Sequence, residues 1–208
     1  MALPPAALLY CFADELIEPD DWKSRGEKVP GKEVKVKQSP LAAHVLALSL
    51  FGLRQAGFLT MRVERKKSLM FTKTSVVLHA PAPLPGWSVE HALGKQVTPG
   101  QEVAVWDVVY RMLGRDSAMP AATVVQMAAQ AAAEVGLLTP VDAGRGAIGS
   151  LVLGSTTLVP APAALQAAHP EWQHLLGAWQ AFRQAEAELA HELVTSCDKG
   201  ITARIESD

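Results

Sequence analysis

Residues 39–57 read SPLAAHVLALSLFGLRQAG. Leu41, Val45 and Leu48 recur at helical spacing, and Leu46, Leu50 and Leu53 recur on a neighbouring stripe. A helix that is apolar over so much of its girth is largely buried, so the rest of the chain has to supply elements that cover it. Ser39 is a candidate N-cap with Pro40 at the first helical position. Gly57 suits the left-handed residue that closes a helix.

The segment after that helix is strand-like. FLTMRVER and SLMFTKTSVVLHA alternate apolar and polar residues and are joined at Arg65, Lys66 and Lys67, which reads as a β-hairpin with a basic tip. APAPLPGW is a proline-rich exit and SVEHAL a short helix. The second half repeats the plan. PGQEVAVWDVVYRMLG and SAMPAATVVQMAAQAAAEVGLL read as helices, the latter turning Val124, Met127, Ala131 and Val135 inward. TPVDAGRGAIGSLVLGSTTLVPAP reads as a strand, a glycine-rich tip and a second strand. HPEWQHLLGAWQAFRQAEAELAHELVTS reads as one long helix with Leu175, Leu176, Trp179, Phe182, Leu189 and Leu193 on its face. At the start, PPAALLYCFADELIE is a short helix with Leu8, Leu9, Phe12 and Leu16 inward, and residues 33–37 form a short strand in a polar loop.

A helix ending in glycine, two hydrophobic residues and a hairpin therefore occur twice, about 80 residues apart, as in winged-helix units. The expected fold is α+β and mainly helical. Two winged-helix-like helix–hairpin units, residues 1–95 and 96–208, pack into one globular domain with a long C-terminal helix. With 208 residues, the chain is long enough for one sizeable core.

The chemistry implied is binding rather than catalysis. No nucleotide loop, nucleophile elbow or zincin motif is present, GRGAIGS lacks the Lys-Ser/Thr and helix of a phosphate loop, and the six histidines do not pair at metal-ligand spacing. No catalytic residue, metal or cofactor is expected. Cys11 and Cys197 lie near opposite ends and form no disulfide framework, which points to a reducing, cytoplasmic setting. No run of about eighteen apolar residues occurs, so membrane contact is expected to be peripheral.

Charge is unevenly spread. The net charge is −2, yet residues 23–73 hold twelve Lys or Arg against Glu27, Glu33 and Glu64. That segment carries an excess of nine positive charges. Arg62, Arg65, Lys66, Lys67 and Lys73 are the candidate binding residues, aimed at anionic lipid headgroups or an acidic protein surface. The competing reading of Arg65-Lys66-Lys67 is a polar turn that keeps strand edges apart. Nucleic acid is disfavoured, because the helices beside the hairpin carry too few polar and basic side chains to read bases. Ile148, Leu151, Val152 and Leu153 are either an apolar wedge for a membrane or partner, or core strand. The alanine-rich helix AATVVQMAAQAAAEV packs within the fold or across a homodimer.

The segment from Ser39-Pro40-Leu41 through RQAGFL, ERKKSLMFTK and HAPAPLPGWSVEHAL resembles the Golgi phosphoprotein family, bacterial type. VVQMAAQAAAEVGLLTP and the hairpin after it are similar to that family's later helix and membrane-inserting hairpin, so the resemblance spans residues 1–165. It implies a mostly helical, non-enzymatic adaptor that binds a phosphoinositide headgroup on membranes. The family's pocket uses a tryptophan and several arginines, whereas Ala42, Ala122 and Val125 stand at the matching positions here. The alternative is a tandem winged-helix subunit of a larger protein or protein–DNA complex.

Overall fold

The computed structural model describes residues 3–20, 26–67, 72–85, 88–114, 119–142, 151–153 and 156–205. In chain order the elements are α1 (Pro5–Cys11), a 3₁₀ turn (Ala13–Glu15), β1 (Glu27–Lys28), β2 (Lys35–Val36), α2 (Gln38–Gln55), β3 (Thr60–Lys67) and β4 (Thr72–His79). Next come α3 (Ser88–Gly94), β5 (Glu102–Ala104), α4 (Val105–Met112), α5 (Pro120–Glu134), β6 (Leu138–Asp142), β7 (Leu151–Leu153), β8 (Thr156–Pro160), α6 (Pro162–Ala185) and α7 (Ala187–Ile205). The fold is α+β and mainly helical, with small antiparallel sheets and long helices at the C-terminal end.

The apolar helix is the hub. From Leu41 to Leu53 every residue of α2 is buried except His44 and Gly52, and α1, α3, α5 and α7 all pack against it. Gly52 is the seat of α1. A Cβ there would stand 2.7 Å from Pro5 Cγ, so only glycine admits the proline that opens α1. On another side of α2, Phe51 packs against two rings of α6. It meets Trp179 edge-on at 5.3 Å and stacks on Phe182 at 5.0 Å.

α2 and α5 end in the same way. Gly57 and Gly136 both have φ near 78°. The Gly57 N–H donates to the Arg54 carbonyl and the Phe58 N–H to the Leu53 carbonyl. The Gly136 N–H donates to the Ala133 carbonyl and the Leu137 N–H to the Ala132 carbonyl. Each pair is a Schellman closure, which only a residue at positive φ completes without strain. Both closures turn the chain directly into a strand, so the two helix-to-strand junctions share one geometry.

Several expectations are corrected. α2 starts at Gln38 with Lys37 as N-cap, and Ser39 and Pro40 lie inside its first turn. The first helix is a seven-residue α-helix continued by a 3₁₀ turn. Residues 102–104 are not helical; they pair with Val77, Leu78 and His79 as the third strand of a β3-β4-β5 sheet. Their alternation of Glu, Val and Ala suits a sheet edge, and the helix begins only at Val105. The second hairpin is three-stranded, in the order β6-β8-β7, with β6 pairing β8 and β7 added outside. The long helix begins seven residues early, at Pro162, and breaks at Glu186, whose φ of −128° and ψ of 52° are not helical. The break lets Trp172, Leu176, Trp179 and Phe182 of α6 and Leu189, Leu193 and Ile201 of α7 all bury while the two helices take different neighbours.

α7 closes the first half. It packs on α2, α4, β3 and β4, and Ser196 Oγ accepts a hydrogen bond from the Val76 N–H where the β4–β5 ladder has ended. Gly200 sets its approach to α4. A Cβ there would lie 2.7 Å from both the Trp106 carbonyl oxygen and Val109 Cβ.

Candidate functional site

The basic segment lies on the β3–β4 ladder. Arg65, Lys66 and Lys67 are strand residues at the end of β3 rather than a turn, because the ladder extends to the Lys67–Thr72 pair. The loop that joins the strands lies outside the described residues. All five predicted cations are on this ladder, and Arg62, Arg65, Lys66, Lys67 and Lys73 are exposed.

Three of them stand beside carboxylates. The Arg62 guanidinium forks onto Glu102 of β5, with Nη2 2.7 Å from Oε2 and Nε 3.4 Å from Oε1. Arg65 Nη2 pairs with Glu188 of α7. Lys66 Nζ lies 3.1 Å from Glu64 Oε2. Lys73 Nζ stands 5.6 Å from the Trp106 ring, as does Lys199 of α7. Among the described residues, Lys67 has no ion-pair partner. Exposed pairs of this kind contribute little and exchange readily with other anions. Lys66 and Lys73 are directly opposite in the ladder. Like charges so placed are unfavourable, which leaves this end able to accept an anion.

The proposed apolar contact is only partly described. Leu151, Val152 and Leu153 form β7, the outer strand of its sheet, and Ile148 lies outside the described residues.

The feature that sequence reasoning missed is a cleft of about 590 Å³ between α1, α2, α3 and α6. Pro5 and Leu8 of α1, Gly52 and Leu53 of α2, Ala56 at its C-cap, and Leu175 of α6 give it a mostly apolar wall. Phe58 is at its edge and 44% exposed, one of few large apolar side chains left open among the described residues. Glu90 of α3 also lines it and is 2% exposed; Ser49 of α2 lines it and is wholly buried.

Glu90 is the unusual group. Neither carboxyl oxygen has a hydrogen-bond partner at proper geometry, nor does Ser49 Oγ. Burial pushes the Glu90 carboxyl above the usual carboxylate range. Its own N–H, the Ser49 hydroxyl and the Ala6 N–H in the first turn of α1 pull it back, by less than burial raises it. Glu171 is a second carboxyl on the cleft, its Oε1 accepting from the Leu3 N–H at 2.6 Å, and His174 stands beside it. No Lys or Arg is among the described residues lining the cleft.

One signal was available in the sequence. Val89, Glu90 and Leu93 share one side of α3, and Val89 and Leu93 are fully buried, so Glu90 points inward with them. Ser49 is a buried polar residue inside the apolar stretch of α2. What no local pattern shows is that the two meet from elements 41 residues apart.

Burial also perturbs Tyr10, Glu27, His44, Cys11 and Cys197. Tyr10 OH donates to Glu27 Oε1 at 3.1 Å. Burial, and then Glu27, raise the Tyr10 pKa, while burial raises that of Glu27 against the bond from Tyr10. His44 Nδ1 is 2.8 Å from the Pro40 carbonyl, and burial holds its pKa below the usual imidazole value. Burial pushes the Cys11 thiol up to about 12 and that of Cys197 higher still, so neither is a poised nucleophile. Among the described residues no three His, Cys, Asp or Glu gather to hold a metal, and no helix is long and apolar enough to cross a membrane. Compared with known proteins, the chain matches no family model, no curated protein and no solved structure.

Proposed function

We propose that the protein is a non-enzymatic binding protein that takes a small, largely apolar molecule into the cleft between α1, α2, α3 and α6. The observation that carries this is a buried carboxyl, Glu90, left without hydrogen-bond partners on a mostly apolar cleft of about 590 Å³. Size, apolar walls and a few convergent polar groups are what small-molecule sites share. A buried polar group without partners costs free energy that a ligand can recover. Open Phe58 at the edge adds apolar surface that a ligand would cover.

Nile red, an uncharged dye that fluoresces in apolar surroundings, tests this. It should bind saturably, one per chain, and Ala56→Trp should abolish binding by filling the cleft from an exposed position. Unsaturable fluorescence, or equal binding to the variant, would refute the reading.

A second reading has its own support. The facing lysines 66 and 73, with no ion-pair partner for Lys67 among the described residues, favour contact with an anionic membrane surface or an acidic partner. This is the adaptor role that likeness to the Golgi phosphoproteins implies. At about 1 kcal/mol per basic residue near an anionic surface, binding would be weak and salt-sensitive. The protein should pellet with vesicles rich in phosphatidylserine and not with pure phosphatidylcholine. Equal pelleting with both would rule it out.

A further inference from the structure

We infer that the ligand of the cleft is a cationic amphiphile, an ammonium group on an apolar body, with its nitrogen placed against Glu90. The inference rests on the cleft being a ligand site and concerns which ligand it selects.

The acidic groups on the cleft are Glu90 at its buried side and Glu171 at α6. Neither Lys nor Arg accompanies them among the described lining residues, and His174 is the one basic side chain there. A fatty acid or a phosphate ester would bring its negative charge toward two carboxyls with no Lys or Arg to meet it. A neutral alcohol would supply one donor hydrogen and no charge. An ammonium supplies up to three donors together with the opposite charge, and charge-assisted bonds are about twice as strong as neutral ones. Both Glu90 oxygens lack partners, so an ammonium fills a need already present in the protein. The surroundings strengthen such a pair, because Glu90 is 2% exposed and the walls around it are mostly apolar. The apolar body would lie along Leu8, Leu53 and Leu175 toward Phe58.

The nearby donors set a limit that sharpens the test. The Ser49 hydroxyl and the Ala6 N–H face Glu90 and favour its ionised form. Burial outweighs them, so an arriving cation adds to what favours the carboxylate.

The experiment is competition against bound Nile red by dodecylamine, dodecanol and dodecanoate, each below its micellar concentration and at about pH 7, where an alkylamine is protonated. Dodecylamine should compete at a concentration at least about tenfold lower than dodecanol, with dodecanoate weakest. Glu90→Gln keeps the shape and removes the charge, and it should bring the amine and the alcohol within about twofold of each other. If Nile red does not bind saturably, the cleft is not a ligand site at all. If the dye binds but the alcohol or the carboxylate competes as well as the amine, the cleft stands and the cation inference is overturned. An amine preference that survives intact in folded Glu90→Gln also overturns it. Should that variant not fold, the three-ligand comparison on the native chain decides the matter alone.

Discussion

Gly177 and Gly200 sit within helices of the same C-terminal pair, and replacing each by alanine should have opposite consequences. Gly177 is exposed on α6, and nothing lies within 4 Å of where its Cβ would be. Gly177→Ala should therefore stabilise the protein by about 1 kcal/mol, the helix-propensity difference between the two residues. Gly200→Ala receives the same propensity gain. Its Cβ, however, would stand 2.7 Å from the Trp106 carbonyl oxygen, 2.7 Å from Val109 Cβ and 2.8 Å from Val109 Cγ1. A rotamer change at Val109 moves neither the carbonyl nor the Cβ, so α4 and α7 must separate. Separation disturbs fully buried Val108, Val109, Leu193 and Cys197. Overpacking of this kind costs about 1–3 kcal/mol. Because the propensity gain is common to both variants, their difference in unfolding free energy isolates the packing cost, about 1–3 kcal/mol. Urea unfolding followed by far-ultraviolet circular dichroism measures it. A parallel thermal melt should separate the two by about 2–4 °C for each kcal/mol in a chain of this length. If Gly200→Ala proves as stable as Gly177→Ala, the close approach of α4 and α7 is wrong.

Three further outcomes are expected. Glu90 has a folded pKa above its unfolded value of about 4.5, so the folded state holds the extra proton and native stability should fall as pH rises from about 4.5 through the raised pKa. Glu90→Gln should flatten that part of the profile relative to the native chain, as read from urea midpoints between about pH 4 and pH 8, and an unchanged slope would contradict the burial of the carboxyl. Tyr10→Phe leaves Glu27 without its donor, and should cost about 1–3 kcal/mol, with the loss larger above the Glu27 pKa than below it; equal losses at both pH values would deny the bond. Cys11 and Cys197, 1% and 0% exposed, should resist a thiol reagent in the native state and react only on unfolding, and fast labelling of either would show that its helix opens.

How legible the molecule was depends on how local each cause is. The burial of α2 was readable because its apolar residues exceed one helical stripe. The two closures at Gly57 and Gly136 were readable because positive φ after a helix is a local demand that glycine meets. The break at Glu186 was not, since apolar spacing continues across it and the change is one of neighbours. Residues 102–104 became a strand because β4 offered them an edge, which no window around them contains. The same limit governs the sites. The cations on β3 and β4 were plain in the sequence, but their neutralisation was not, because Glu102 and Glu188 lie 40 and 123 residues from the arginines they meet. Glu90 was hidden for a related reason. A glutamate in the first turn of a short helix ordinarily favours the helix dipole from the solvent side. Its burial depends on α3 packing against α2 and α5, which no window around it contains.

The way α7 covers the first half has a consequence during synthesis on the ribosome. Val76 and Leu78 of β4 and the buried side of α2 need α7 as a lid, and α7 is made more than a hundred residues after β4. The first helix–hairpin unit therefore spends translation with its apolar side open. It completes its packing only after residues 187–205 have cleared the exit tunnel. A chain stalled before that point should be the form most dependent on a chaperone.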